Sequence, residues 1–460
     1  MSLEITEELI SRQSPEAQAI IRLLLAQIAE LRAEIARLKK TPQNSSLPPS
    51  SQHPHAKPAP PPSRSRRKRG GQPGHEKHER ALIPVQDCEQ VVTLRPSACR
   101  RCGAALVGHD PAPLRHQVWE LPEIKPLVTE YQRHRLACPC CGETTCAALP
   151  AGVPQGQAGP RLIALAALLM GCFRQSKSRV AMFLTQVLDQ PCSTGWVVKL
   201  QNQATAALRP AYDELVAQLP AQEVLGIDET PTKEGPAKAW LWTCVAAHFT
   251  VFSVRATRAA TVLRELLGET YEGVVHCDRA KMYWSLGRLQ WCWAHLKRDF
   301  QALIDSGDGQ KKRLGHDLMR PTRKLFELWA RYRDGTLTRA EFQCRMQPIR
   351  REIDGLLLRG AFAGLGMCEE LSNHSEWLWT FVEVEGVEPT NNASERALRH
   401  AVIWRKLSFG TQSSQGSRFV ETLLTTVETC RQQSRGVFPF IADAIQAHFA
   451  RTTAPRLAGV

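Results

Sequence analysis

After Pro220 the chain changes its hydrophobic rhythm, and that change restricts its fold more than any other feature. Residues 224–227, 239–247, 249–254 and 273–277 are short apolar runs, interrupted by one helical stretch at 258–269. Runs of this length, bounded by polar residues and by Gly or Pro, read as strands. Residues 289–292 offer a fifth. Three strands, a helix, further strands and then helices predict a mixed α/β sheet. Residues 300–388 have a mostly helical pattern, with Phe326, Trp329, Trp377 and Trp379 available for packing. They read as an insertion before a final segment.

Upstream of Pro220 the period is helical. Residues 162–173, 180–188 and a third segment from Ser193-Thr194 through Leu208 predict three helices, with Ser193 as an N-cap. They read either as a helix-turn-helix DNA reader or as three helices that simply pack together. Nearer the N-terminus, Ile21, Leu24, Ile28, Leu31, Ile35 and Leu38 alternate steps of three and four. Ile at every a position and Leu at every d describe a coiled-coil seam and predict homo-oligomers, the alternative being an amphipathic helix packed within its own chain.

Between these regions, residues 41–74 lose apolar periodicity and turn to Pro, Ser, Gly and basic side chains, including Arg66, Arg67, Lys68 and Arg69. A flexible basic linker suited to phosphate contact is expected, since counterion release requires no folded structure. The whole chain of 460 residues carries a net charge of +14, which favours a polyanionic partner. Its acidic first residues contain no secretory signal, and its longest apolar run, 162–173, is too short to span a bilayer. A cytoplasmic protein, with no membrane partner, is expected.

The 15 cysteines are therefore read as thiols or metal ligands rather than disulfides. Cys99-Arg-Arg-Cys102-Gly103 and Cys138-Pro-Cys140-Cys141-Gly142 form two Cys-x-x-Cys-Gly turns. Each aims two sulfurs at one ion, and glycine accommodates the backbone that follows. Cys99, Cys102, Cys138 and Cys141 are the expected ligands of a structural Zn²⁺, with Cys140 and Cys146 as competitors. Four thiolates leave no open position for catalysis at that ion.

Three acids suggest a different metal. Asp228 and Asp278 each follow an apolar run and are expected at strand ends, where adjacent strands would bring them together. Glu395 lies in Thr390-Asn391-Asn392-Ala-Ser-Glu395-Arg396, where Asn392 is expected to cap a helix and place Glu395 in its first turn. Convergent carboxylates repel unless cations neutralise them, and hard oxygen ligands select Mg²⁺ or Mn²⁺. Two such ions support in-line phosphoryl transfer. Taken singly, each acid also fits an ordinary capping role.

The chain resembles transposases of the insertion sequence 66 family over nearly its whole length. The resemblance rests on Asn44-Ser45-Ser46 with Pro48-Pro49-Ser50-Ser51, Gly70-Gly71-Gln72-Pro73-Gly74-His75, the cysteine pairs and Asp228-Glu229-Thr230. It continues through Cys292-Trp293-Ala294-His295-Leu-Lys-Arg298, Thr390 to Arg399, and Trp404-Arg405-Lys406-Leu407-Ser408-Phe409-Gly410 with Ser414-Gln415-Gly416. A departure occurs at Cys277-Asp278-Arg279-Ala280-Lys281-Met282-Tyr283, where the family commonly has Asp-Gly-Tyr and a second Tyr. Tyr283 keeps the later aromatic.

The resemblance implies a DDE-type DNA transposase with a ribonuclease-H-like catalytic domain. Asp228, Asp278 and Glu395 would hold Mg²⁺ or Mn²⁺, while His295, Arg298, Arg396 and Arg399 would position DNA phosphates at element ends and target. It also implies small accessory proteins of the same element. The expected organisation is multidomain α/β: a coiled coil at 1–40, a linker at 41–80, a zinc-binding module at 81–152 and a helical domain at 153–220. A catalytic domain at 221–410 with its helical insertion at 300–388, and a helical region at 411–460, complete it. A zinc-containing DNA-binding protein without catalysis is the alternative, and a different nuclease of the same fold a third reading.

Overall fold

The computed structural model describes residues 7–38 and 80–458, with side chains described for 7–31 and 80–458. The basic run Arg66, Arg67, Lys68 and Arg69 lies outside the described residues, as do the side chains of Ile35 and Leu38. There are two compact units: one contains residues 7–38 and 128–458, the other residues 80–127.

In the first unit, α1 (Glu7–Ser11) precedes α2 (Pro15–Leu38). Pro15 opens α2, where its fixed φ suits the first turn and its missing N–H is not needed. Leu24, Ile28 and Leu31 of the predicted seam are exposed on this helix. Strands β1 (Arg135–Ala137) and β2 (Thr144–Cys146) form a short antiparallel hairpin.

The three predicted helices are α3 (Pro160–Gly171), α4 (Lys177–Leu188) and α5 (Thr194–Gln218). Ser193 caps α5 as expected, its Oγ accepting the Trp196 N–H at 3.1 Å. α5 overruns the expected end at Leu208, passing through Pro210. Ala204, Ala207, Leu208, Ala211 and Leu215 continue one buried stripe across the proline. That stripe holds the helix together although an interior proline costs about 3 kcal/mol.

The five expected strands form one sheet. They are β3 (Val224–Glu234), β4 (Ala237–Val245), β5 (Thr250–Arg255), β6 (Val274–Cys277) and β7 (Leu289–Trp291), with α6 (Ala260–Leu267) between β5 and β6. Their order is β5-β4-β3-β6-β7. β3, β4 and β5 pair antiparallel, whereas β6 and β7 are parallel to β3 and to each other. β3 pairs with β6 only as far as Gly226, but with β4 as far as Glu234. Among the described residues, the edge of β3 beyond Gly226 meets no further strand and only a single bridge, Glu234 with Thr411, so Pro231 is tolerated there.

α7 (Trp293–Asp305) begins ahead of the insertion predicted at 300–388 and runs into it, and α8 (Gly309–Arg333), α9 (Arg339–Phe362), α10 (Gly366–Asn373) and α11 (Glu376–Glu383) lie within it. Trp291, Trp293 and Trp379 are fully buried, and the Trp293 indole N–H donates to the Leu378 carbonyl at 2.8 Å. This apolar junction fixes the insertion against the β7 side of the sheet.

The chain then forms α12 (Asn392–Ser408), α13 (Ser414–Gln432) and α14 (Val437–Ala450). α13 closes the outer edge of β5 with side chains. The amides of Thr250, Phe252 and Val254 donate to Thr429 Oγ1 at 3.1 Å, Thr425 Oγ1 at 2.9 Å and Glu421 Oε1. Four helical residues rise about 6 Å and two strand residues about 6.6 Å, so the two periods stay in step. An edge that would otherwise offer free N–H groups to another chain is thereby occupied.

Candidate active site

Asp228 lies inside β3, opposite Thr243 of β4, rather than at the strand's end. It nevertheless stands two residues beyond the last β3–β6 pair, Gly226 with His276, where the sheet opens. Its Oδ1 accepts the Glu229 N–H at 2.9 Å. Asp278 does follow its strand, β6, and its Oδ1 accepts the Ala280 N–H at 2.8 Å. Both carboxylates are half-buried.

Glu395 is in the first turn of α12, as expected, but the N-cap is Asn391 rather than Asn392. The Asn391 side chain makes no cap. Its Nδ2 donates to the Ile227 carbonyl at 2.8 Å, tying α12 to β3 immediately before Asp228. Gly226 permits this approach: a Cβ there would lie 2.3 Å from Ser394 Oγ and 3.1 Å from Asn391 Oδ1.

The electrostatics couple these acids. Burial pushes the Asp228 pKa well above the ordinary carboxylate range, and the charges of Glu229, Asp278 and Glu395 push in the same direction. Glu229 is a fourth acid that the sequence reading missed. Burial and then Asp278 raise its pKa, against Arg258 and Tyr283. Arg258 Nη2 lies 2.5 Å from Glu229 Oε1 and 3.8 Å from Asp278 Oδ2. Tyr283 donates its hydroxyl proton to Glu229 Oε2. The later aromatic after Asp278 therefore holds Glu229, and Arg258 stands between two of the acids. Alternation along β3 sets Glu229 on the face opposite Asp228, so the strand pattern gave no signal for it; its tie to the acids runs through Arg258 and Asp278.

α7 borders the Glu395 side. His295 Nδ1 and Arg298 Nη2 are each 3.8 Å from Glu395 Oε1. Burial, then the Arg298 charge, lower the His295 pKa, favouring neutral imidazole. Arg279, the departure residue, bonds Asp299 Oδ2 and Glu370 Oε1 at 2.9 Å each, linking the Asp278 loop to α7 and α10. Arg396 and Arg399 are exposed on α12. Among the described side chains, Glu395 Oε1 and His295 Nδ1 are buried without a hydrogen-bond partner. Mutually repelling carboxylates and an unsatisfied carboxylate oxygen form a donor set suited to a divalent cation.

The two cysteine turns belong to different units and repeat one geometry. In the first, Gly103 N donates to the Cys99 carbonyl at 3.0 Å and Cys99 N to the Ala104 carbonyl at 2.8 Å. In the second, Gly142 N donates to the Cys138 carbonyl at 2.9 Å and Cys138 N to the Glu143 carbonyl at 2.8 Å. Gly103 and Gly142 adopt φ of 74° and 75°, where a side chain would be strained. Hydrogen bonds from the Cys102 and Arg101 amides lower the Cys99 pKa, and those from Cys141 and Cys140 lower that of Cys138. Cys102 and Cys141 occupy corresponding positions in the two turns. Cys140 supplies an amide to its turn, and Cys146 lies on β2.

Residues 155–418 match the family described as Transposase IS66 family. Residues 96–142 match the zinc-finger binding domain of transposase IS66, a span that contains both cysteine turns. Residues 7–81 match a family of unknown function. The uncharacterized protein y4hP of Sinorhizobium fredii (strain NBRC 101917 / NGR234) is 23% identical over 400 residues, covering 78% of this chain and 71% of that protein.

Proposed function

Because the chain belongs to the IS66 family of transposases, we propose that it binds the terminal inverted repeats of a bacterial insertion sequence and catalyses metal-dependent DNA strand cleavage and transfer. What supports the catalytic reading is that Asp278 and Glu395 lie near enough to Asp228, at the opening of the sheet beyond Gly226, for both charges to raise its pKa. A central strand flanked by an antiparallel hairpin on one side and parallel strands on the other supports a ribonuclease-H-like fold.

Asp228, Asp278 and Glu395 would hold Mg²⁺ or Mn²⁺, which when bound supplies Lewis-acid activation of water or a 3′-hydroxyl and stabilises the leaving oxygen. The chain's own residues order that centre. Asn391 and Gly226 fix the distance between the elements bearing Asp228 and Glu395. Arg258 partly offsets the Glu229 and Asp278 charges. Arg298 borders Glu395, and exposed Arg396 and Arg399 offer guanidinium groups to DNA phosphates. Neutral His295 is suited to hydrogen bonding rather than charge pairing.

The proposed organisation is a zinc-binding module at 81–152, a helical domain at 153–220 and a catalytic domain at 221–410. The cysteine turns would share one Zn²⁺ through Cys99, Cys102, Cys138 and Cys141 and stiffen a DNA-contacting module. The exposed seam of α2 would pair with a second copy, and the basic linker, Arg66 to Arg69 included, would track phosphates without reading sequence. Accessory proteins of the same element are proposed partners. No described helix is long and apolar enough to cross a membrane; a cytoplasmic location at the nucleoid fits the DNA partner.

Labelled element-end DNA incubated with full-length protein and Mg²⁺ or Mn²⁺, with and without accessory proteins, tests this function. Metal-dependent nicking and joined product are expected. Binding with no cleavage under any of these conditions would favour a DNA-binding protein that has lost catalysis.

A further inference from the structure

Cys292, which the proposed reaction does not use, lies beside the Glu395 end of the acidic centre. One ligand atom each of Cys292, His295 and Glu395 lies within 4.8 Å of the other two. The three come from two elements held together by design of the backbone: Cys292 caps α7, His295 is in its first turn, and Glu395 is in the first turn of α12. Trp293 N donates to the Pro389 carbonyl at 2.9 Å, and Asn391 N donates to Cys292 Sγ at 3.2 Å. These bonds join the two helix starts directly.

Two features separate this cluster from a chance meeting of polar groups. Among the described residues, His295 Nδ1 and Glu395 Oε1 are buried atoms with no hydrogen-bond partner, an arrangement that costs free energy unless something fills it. The Cys292 sulfur, in addition, is fixed in place by the Asn391 N–H at 3.2 Å; burial raises its thiol pKa to about 11, against the amides of Asn391, His295 and Ala294.

We propose that Cys292, His295 and Glu395 form a binding site for a borderline-soft divalent ion, Zn²⁺, separate from the four-cysteine ion and sharing only Glu395 with the hard-ion centre of Asp228, Asp278 and Glu395. One sulfur, one imidazole nitrogen and one carboxylate oxygen select Zn²⁺ over Mg²⁺. Three protein ligands leave a fourth position open. On binding, Cys292 releases its thiol proton to solvent and the sulfur lone pair goes to the ion, while thiolate and carboxylate together neutralise its charge. The ion takes Glu395 away from the hard-metal centre, so Zn²⁺ acts as a brake on strand transfer. That consequence rests on the proposed transposase chemistry; the binding itself does not.

Zinc stoichiometry therefore provides the test. Full-length wild type, Cys292→Ser and His295→Ala are dialysed against buffered Zn²⁺, and bound zinc per chain is measured beside a Cys99→Ser control. Wild type is expected to hold one zinc more than either site variant, and Cys99→Ser to lose a different ion while keeping this one. With Co²⁺ in place of Zn²⁺, Cys292→Ser is expected to lose part of the thiolate-to-cobalt absorption. Wild-type stoichiometry in either Cys292→Ser or His295→Ala would overturn the site. Absence of strand transfer in wild type with Mg²⁺ would instead count against the proposed reaction and leave the zinc count unaffected.

Discussion

The Asn391 side-chain amide donates to the Ile227 carbonyl at 2.8 Å, joining the residue that starts the Glu395 helix to the residue before Asp228. A buried hydrogen bond thus sets the spacing of two acids 167 positions apart in sequence. Asn391→Ala leaves the carbonyl without this donor, and a loss of about 1–3 kcal/mol is expected. Chemical denaturation measures the stability, and strand-transfer rate should fall further than stability alone requires. Wild-type rate in a folded Asn391→Ala protein would contradict the spacing role.

Gly226→Ala attacks the same junction from the strand. The new Cβ would lie 2.3 Å from Ser394 Oγ, and overpacking of this kind costs about 1–3 kcal/mol. Removing that oxygen leaves Ser394 Cβ at an ordinary 3.7 Å, while Asn391 Oδ1 stays close at 3.1 Å. The double variant Gly226→Ala/Ser394→Ala is therefore expected to recover part, but not all, of the loss in a thermal melt. Additive losses would show that Ser394 is not the obstructing neighbour.

Arg258→Ala should leave Glu229 and Asp278 facing one another with less compensation. Because Arg258 is partly exposed, solvent screening reduces the penalty, and about 1–3 kcal/mol is expected. Divalent ions should restore more stability to this variant than to wild type. Melting with and without Mn²⁺ checks the difference, and equal Mn²⁺ effects would argue against electrostatic coupling.

Asp228 gives the pH dependence its sign. Its folded pKa is raised by burial and by neighbouring carboxylates, so the folded metal-free protein holds this proton more tightly than the unfolded chain. That contribution is fully present below the unfolded value near ~3.9 and is lost as pH rises through the raised value. Bound Mg²⁺ or Mn²⁺ favours the ionised acid, so metal affinity should rise over the same window with proton release. Calorimetry in buffers of different ionisation enthalpy measures the released protons. Metal binding with no proton release in that window would be inconsistent with Asp228 as a ligand.

The sheet was largely legible because its strands are contiguous apolar runs, and the position of Glu395 in a first helical turn followed from its motif. Other features depended on contacts that spacing does not encode. The extension of β3 through Asp228, Thr230, Thr232 and Lys233 is polar, and it persists because β4 pairs with it to Glu234. Asn391 rather than Asn392 is the N-cap of α12, and its side chain bonds the sheet instead of the helix. Glu421, Thr425 and Thr429 resemble an ordinary polar helix stripe until β5 is placed beside them. Likewise, His295 was assigned to phosphate contact by resemblance, and only the fold places Cys292 Sγ and Glu395 next to it.

The most direct test of the catalytic centre compares strand transfer by wild type, Asp228→Ala, Asp278→Ala and Glu395→Ala on the same labelled element-end DNA with Mn²⁺, alongside DNA-binding affinity. Each variant is expected to bind DNA and to lose joining by on the order of 10²–10³-fold or more, as removal of a major transition-state stabiliser does. Normal joining by any one of the three would contradict the account, and Asp278→Ala, whose flanking residues depart from the family pattern, is the most exposed to that result.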